Sequence, residues 1–293
     1  MGRGLLDPGS PGHGIALEAS DLLGMDVVRL STDAPEDELR ATEVAQPLLL
    51  LHSVALLRLV EPRLVATAVA GHSLGEFTAL VASGALTWQQ ALALVRERGL
   101  AMAEACSAVA ADERQGMSAV LAMDGPEVSA AVAGLAGPGE VLVVANENAP
   151  GQVVISGHIA VLERAAERLR AAGARRVMPL QVGGAFHSPL MAAAAERLGA
   201  ALDAAPLAPG LPQAFNVDGR IRIQPTEVRA ALREQLTSAV RWTACIRTLV
   251  EVGVQRFVEL GPGSTLSALG RRIDGEREWL AVSDASGAAA LTA

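Results

Sequence analysis

The sequence predicts an α/β protein in which a small β-α-β-β-α-β unit is inserted into a larger α/β lobe. Two observations carry that expectation. A β-favouring run, Leu64 to Ala70, leads through Gly71-His72-Ser73-Leu74-Gly75-Glu76 into the helical stretch Phe77 to Ala82, a strand–turn–helix built on Gly-x-Ser-x-Gly. Between about residues 116 and 185, strand and helix patterns alternate in the order of a ferredoxin-like unit.

The elements follow in chain order. Residues 1–14 are rich in glycine and proline and read as loop, Ile15 to Leu23 as a short helix, and Ala34 to Leu39 as an acidic exposed stretch. A long apolar helix runs from Gln46-Pro47 through Leu59, with Thr42 or Glu43 near its cap and Pro47 in the first turn. His52 inside that run reads as a hydrogen-bonded core histidine. After the Ser73 turn comes a helix from Trp88 to about Ala105, with Thr87 as N-cap. Arg96 and Arg98 both sit on apolar faces of it, so each must snorkel, find an acid or wait for an anionic ligand. Helical periodicity does not choose between them.

The inserted unit reads as strand Met117 to Met123, helix Pro126 to Leu135, strand Val141 to Ala145, strand Gln152 to Ser156, helix Ile159 to Ala172 and strand Arg176 to Val182. Asn148 to Gly151 supplies the hairpin turn. Residues 1–115 and 186–293 would form the larger lobe and 116–185 the smaller, with substrate expected in the crevice between them. Helix Leu190 to Ala204, strand Gln213 to Val217, helices Thr226 to Gln235 and Val240 to Val252, strand Arg256 to Leu260 and helix Thr265 to Arg272 complete the chain. Gly261-Pro262-Gly263 looks like half a dinucleotide fingerprint, but Leu266 replaces the third glycine, so it reads as a packing turn.

The chemistry starts at Ser73. In a nucleophile elbow the turn is so tight that Gly71 and Gly75 are both expected to lack side chains of necessity. Ser73 then stands at a helix N-terminus, where free N–H groups favour developing negative charge. The plainer alternative is a serine N-cap. Of the five histidines, His187 is the best base: it follows Gly183-Gly184 in a loop where the chain re-enters the larger lobe. His72 neighbours Ser73, but its side chain is expected to point elsewhere, and His158 reads as a helix opener.

Composition removes other chemistries. All 24 basic residues are arginine, which excludes Schiff-base, pyridoxal-phosphate and Walker A lysines. With no tyrosine, 2% aromatics and a net charge of −8, nucleic-acid binding is not expected. The histidines show no metal-ligand spacing, and Cys106 and Cys245 lie far apart, as in a reduced, cytoplasmic protein. No apolar run is expected to reach the ~20 residues that span a bilayer, so no membrane association is expected.

The motifs together resemble the malonyl-CoA:acyl carrier protein transacylase family and the related acyltransferase domains of polyketide synthases. They are Gln46-Pro47, Gly71 to Glu76, Arg98-Gly99, Asn148 to Gly157, Phe186-His187-Ser188-Pro189-Leu190-Met191, Val240-Arg241-Trp242 and Glu259 to Gly263. The resemblance implies a hydrolase-like parallel-sheet lobe carrying a ferredoxin-like (βαββαβ) insert. It implies Ser73 as nucleophile, His187 as base and Arg98 as the group that holds the malonyl carboxylate. The N–H of Leu74 becomes an oxyanion donor, and Phe186 and Gln152 belong to the substrate pocket, the Phe186 ring favouring malonyl over methylmalonyl. The histidine would be oriented by a backbone carbonyl near Val240-Arg241-Trp242. The partners implied are a coenzyme A thioester and an acyl carrier protein, with no metal or other cofactor. A basic cluster, Arg164, Arg168, Arg170, Arg175 and Arg176, is the candidate face for an acidic carrier protein.

Three departures temper the resemblance. The family's opening strand and Gly-Gln-Gly-Ser-Gln turn, source of a second oxyanion N–H, have no counterpart, and Met1 is expected to be internal to a longer reading frame. Ala239 stands where proline is usual, and Glu147 is unusual in its turn; both are expected to be tolerated. The competing readings are a serine hydrolase using Asp112 or Asp124 as triad acid, and a non-catalytic docking paralogue.

Overall fold

The computed structural model describes residues 2–107 and 114–291. Helices α1 (His13–Leu23), α2 (Val27–Thr32) and α3 (Glu36–Arg40) lead into α4 (Thr42–Val60). By length and composition α4 could cross a membrane, contrary to the expectation that no run approaches that size. Its Leu50, Leu51, Val54 and Leu56 are fully buried, which makes it the central helix of a folded core.

After strand β1 (Val69–Ala70) come α5 (Gly75–Ala82) and α6 (Trp88–Ser107), and α6 packs on α4. Gly99 sets their crossing: a Cβ there would stand 2.9 Å from the Cα of Glu43. Pro47 lies in the second turn of α4, beyond the first turn expected for it. Lacking an N–H, it cannot bond the Glu43 carbonyl one turn back. Arg96 Nη1 donates to that carbonyl instead, at 2.9 Å. Arg96 thereby repairs the helix that proline interrupts, and the two arginines left alike by periodicity part ways here.

Next in the chain are β2 (Gln115–Leu121), α7 (Gly125–Val132), β3 (Leu142–Ala149), β4 (Gln152–His158), α8 (Ile159–Ala171) and β5 (Arg176–Pro179). Their strands form one sheet in the order β3-β4-β2-β5 with every neighbour antiparallel. Val120, Val128, Ile155, Leu162 and Leu169 form a separate apolar core where α7 and α8 cover that sheet. His158 caps α8 and accepts the Val141 N–H at 2.9 Å.

A 3-10 turn (Pro189–Met191) opens α9 (Ala192–Ala204), followed by β6 (Gln213–Ala214), β7 (Ile221–Arg222), α10 (Pro225–Gln235) and α11 (Trp242–Glu251). The chain ends with β8 (Arg256–Leu260), α12 (Thr265–Ile273), β9 (Glu278–Val282) and α13 (Ala285–Ala290). Val240, expected to be helical, bridges the outer edge of β3 through Asn146. Glu259 Oε1 and Oε2 accept the Leu266 and Ser267 N–H groups at 2.9 and 2.7 Å, so the start of α12 is already capped by an acid.

The strands around Ser73 are shorter than expected. Leu64 to Ala70 narrows to Val69–Ala70, and Gln213 to Val217 narrows to Gln213–Ala214. A β-favouring run becomes strand only where a neighbour takes its backbone groups. Here that neighbour is β6, which pairs in parallel with β1 over two residues, while Val65 stands 91% exposed. β6 also pairs antiparallel with β7, and β8 pairs in parallel with β9. Parallel pairing therefore occurs in two small sheets, with helices supplying most of the largest core.

Candidate active site

Ser73 sits between β1 and α5 with φ +51°, a conformation a non-glycine residue rarely adopts. The crossing that forces it is one-sided. A Cβ on Gly71 would fall 1.9 Å from the Gly75 carbonyl, whereas one on Gly75 meets open space, so only Gly71 is sterically required. Asn216 staples the turn from outside. Its Oδ1 accepts the Ser73 N–H at 2.7 Å and its Nδ2 donates to the Gly71 carbonyl at 2.8 Å.

His187, also at positive φ (+56°), approaches Ser73 across the fold. Its Nε2 lies 2.7 Å from Ser73 Oγ, and its Nδ1 lies 3.0 Å from the Gln235 carbonyl. A carbonyl can only accept, so Nδ1 carries the proton and Nε2 is the free base facing the hydroxyl. The orienting carbonyl is Gln235, at the end of α10, rather than one in Val240-Arg241-Trp242. Burial, reinforced by the Arg98 charge, lowers the His187 pKa to about 3, so the resting imidazole is neutral. Of the preceding glycines only Gly184 is crowded: a Cβ there would stand 2.1 Å from Cys106 Sγ, whose side chain would have to turn away.

Arg98 is 2% exposed, and its bonded partners are neutral oxygens: Gln46 Oε1 at 2.6 Å, Gln235 Oε1 at 3.1 Å and Ser73 Oγ at 3.0 Å. Among the described residues its buried Nε meets no acceptor. Burial lowers its pKa to about 10, which still leaves it a cation at neutral pH. A buried guanidinium without a bonded carboxylate is a strong anion receptor.

Glu76, fully buried one turn after Ser73, completes the arrangement. Its Oε1 accepts the Asn216 N–H at 2.6 Å and its Oε2 accepts from Gln235 Nε2. Burial raises its pKa to about 7, opposed by the Asn216 and Gln235 bonds and the Arg98 charge. Both oxygens face N–H donors, which favour the ionised form against the burial that raises the pKa.

Ser73, Leu74, Arg98, Phe186 and His187 line one cavity of about 280 Å³. His72 lines it too, contrary to expectation; its Nε2 donates to Asn148 Oδ1 at 2.8 Å and its ring packs on Trp242. Gln152 does not join them. It opens β4 on the far side of the hairpin, bonds Arg272 and lines a different cavity with Ser264 and Thr265. Asp124 caps α7 and accepts the Gly151 N–H at 2.6 Å, while Asp112 falls outside the described residues. On the sequence alone, no site role falls to Gln235, Asn216 or Glu76. One signal existed for Gln235, which shares the apolar stripe of α10 with Val228, Ala231 and Leu232.

The family model for the acyl transferase domain matches residues 18–289. The malonyl CoA-acyl carrier protein transacylase of Bacillus subtilis (strain 168) is 38% identical over 286 residues, covering 97% of this chain and 89% of that protein. A solved malonyl-transacylase in complex with its type II PKS acyl-carrier protein superposes with TM-score 0.90 at 36% identity, over 95% of this chain and 89% of that one. The acyl carrier protein S-malonyltransferase of Vibrio cholerae gives 0.89 at 37% identity, over 95% and 90%. A serine–histidine pair beside a buried arginine that bonds no carboxylate thus lies within a matching domain and among relatives named for acyl transfer: the chain belongs to the acyl transferase domain family.

Proposed function

We propose that this protein transfers a malonyl group from malonyl-CoA to the phosphopantetheine thiol of an acyl carrier protein, through a malonyl ester on Ser73, for fatty-acid or polyketide synthesis. The observation that carries this reading is Ser73 Oγ held between His187 Nε2 and the Arg98 guanidinium in one cavity.

Ser73 Oγ attacks the thioester carbonyl while His187 Nε2 takes its proton, giving a tetrahedral oxyanion. The N–H of Leu74, at the start of α5, is the proposed donor to that oxygen. Arg98 releases Oγ and takes the malonyl carboxylate through two charge-assisted bonds, a fork lysine cannot offer. Collapse expels the coenzyme A thiol, which recovers the proton from His187. The carrier's thiol then gives its proton to His187, attacks the ester and regenerates Ser73. No step calls on a metal or other cofactor. A hydrolase of the elbow type would set a carboxylate against His187 Nδ1, where the Gln235 carbonyl stands.

In this reading residues 116–185 form the smaller, ferredoxin-like lobe, and 1–115 with 186–293 the larger, hydrolase-like lobe, substrate entering between them. Phe186, half-buried in the cavity wall, restricts branched acyl groups. Carrier docking falls to Arg168, Arg175 and Arg176, which are exposed, while Arg164 is engaged by Glu140 and Arg170 by the Val177 carbonyl. The two free cysteines, Cys106 and Cys245, suit a cytoplasmic setting.

The test mixes the protein with malonyl-CoA alone. Stoichiometric release of coenzyme A with a malonyl adduct on Ser73, resuming when carrier protein is added, is the expected result. Continuous release without carrier would make it a hydrolase. Charge reversal at Arg168 and Arg176 should slow the carrier step only; an unchanged rate would refute that docking face.

A further inference from the structure

The buried carboxylate of Glu76 takes no part in the steps above, yet through Asn216 and Gln235 it is linked to Ser73, Arg98 and His187. Its own N–H donates to the Ser73 carbonyl at 3.1 Å, and its Oε1 fixes Asn216, whose side chain holds the Ser73 N–H. Its Oε2 accepts from Gln235 Nε2, which also donates to the Ser73 carbonyl at 2.9 Å. The other end of the Gln235 amide accepts from Arg98, and the backbone carbonyl of the same residue orients His187. The amide can stand only one way round: Nε2 faces two acceptors and Oε1 faces a donor.

We propose that Glu76 is a positioning residue for the proposed malonyl transfer: it is the counter-anion of Arg98, held one amide away so that the guanidinium stays open to the substrate's carboxylate. The arrangement solves a conflict. An arginine that is 2% exposed needs a compensating charge, but a carboxylate in direct contact would occupy the face that must grip the acyl group. Placing Gln235 between the two carries polarity from carboxylate to N–H, from carbonyl to guanidinium, and keeps the Arg98 Nε unclaimed. Removing the charge while keeping the shape inverts the chain. In Glu76→Gln, an amide oxygen turned toward the Asn216 N–H leaves an NH2 facing Gln235 Nε2. Gln235 must then flip and present its own NH2 to Arg98.

This inference rests on the malonyl reading. Its signature is therefore a change in acyl selectivity, which a stability role would not produce. The experiment measures Ser73 acylation from malonyl-CoA and from acetyl-CoA by intact mass in wild type, Glu76→Gln and Glu76→Asp, with thermal melts alongside. Glu76→Gln should lower the malonyl-to-acetyl rate ratio by about tenfold or more, because only the malonyl group uses Arg98. Glu76→Asp keeps the charge and should hold the ratio within about threefold of wild type. If Glu76→Gln does not fold, Gln235→Met, which cuts the same link and spares the carbonyl that serves His187, should show the same loss. Equal losses for both acyl groups, or an unchanged ratio, overturn the proposal. Failure of the wild type to take a malonyl group overturns the functional reading and this inference with it; an adduct on the wild type with unaltered selectivity in the variants overturns this inference alone.

Discussion

Replacing Arg98 by methionine separates the grip on the acyl carboxylate from the chemistry at Ser73. In the resting protein the variant strips donors from two buried amide oxygens, Gln46 Oε1 and Gln235 Oε1. That costs about 1–3 kcal/mol each. The guanidinium's own burial, which lowers its pKa from 12.5 to about 10, returns on the order of 3 kcal/mol when the charge is removed. These two terms leave a net loss of up to about 3 kcal/mol, to which the loss of the charge facing buried Glu76 adds, so thermal melts accompany the kinetics. The kinetic effect is larger. Two charge-assisted bonds to the malonyl carboxylate, about 1.5–3 kcal/mol each, amount to about 3–6 kcal/mol, or roughly 10²–10⁴ in acylation rate. An acetyl thioester has no carboxylate and should lose far less. The assay is rapid quenching against malonyl-CoA and acetyl-CoA with intact-mass detection of the Ser73 ester. A malonyl rate falling less than about tenfold, or both rates falling by one factor, would refute the assignment of Arg98.

Other outcomes follow from the same geometry. Ser73→Ala should abolish the adduct, seen by intact mass, while leaving the melting temperature close to wild type. Gly71→Ala should fail to fold or melt far lower, because its Cβ falls 1.9 Å from the Gly75 carbonyl. Gly75→Ala should be neutral or gain up to about 1 kcal/mol from helix propensity in the same melts. His187 has a folded pKa of about 3 against 6.5 unfolded, so the unfolded chain binds the extra proton between those values. Its contribution to stability is complete above pH 6.5 and is lost as pH falls toward 3. Glu76 acts in the opposite sense: its carboxyl is raised from 4.5 to about 7, so stability falls as pH rises through that window. Urea midpoints of His187→Asn, relative to wild type, should therefore rise as pH drops below 6.5.

Much of the site was legible because its chemistry is written in short motifs. Gly71 to Glu76 announces the elbow, and a buried arginine on an apolar helix face announces an unmet charge. What local pattern could not supply was partnership. Arg96 and Arg98 look alike along α6 until Pro47 on another helix claims the first for the Glu43 carbonyl. Gln235 and Asn216 lie 162 and 143 residues from Ser73 in sequence, and nothing in a linear reading ties an amide there to a serine turn. Gln152 was misplaced for the same reason, since the hairpin points it at Arg272 on α12. The order of the inserted β-α-β-β-α-β unit was legible, whereas α2, β7, β9 and α13 were not, and Val240 was read as helix where it bridges β3. Val65 belongs to a β-favouring run, but only Val69 and Ala70 meet a partner strand.

His187, the proposed base, leans on the main chain, and that support has a consequence for what the site can expel. A carboxylate behind an imidazole makes a strong base and a well-stabilised imidazolium, which suits the ejection of an amine that must be protonated to leave. The Gln235 carbonyl is a dipole without net charge, so the imidazolium it supports is more acidic and shorter-lived. A thiol, with a pKa near 8.5, can depart with little help. With His187 as the proposed base, this support suits the exchange of one thioester for another better than the breaking of amides. Because the support is a peptide oxygen, no side-chain substitution can delete it without moving the end of a helix.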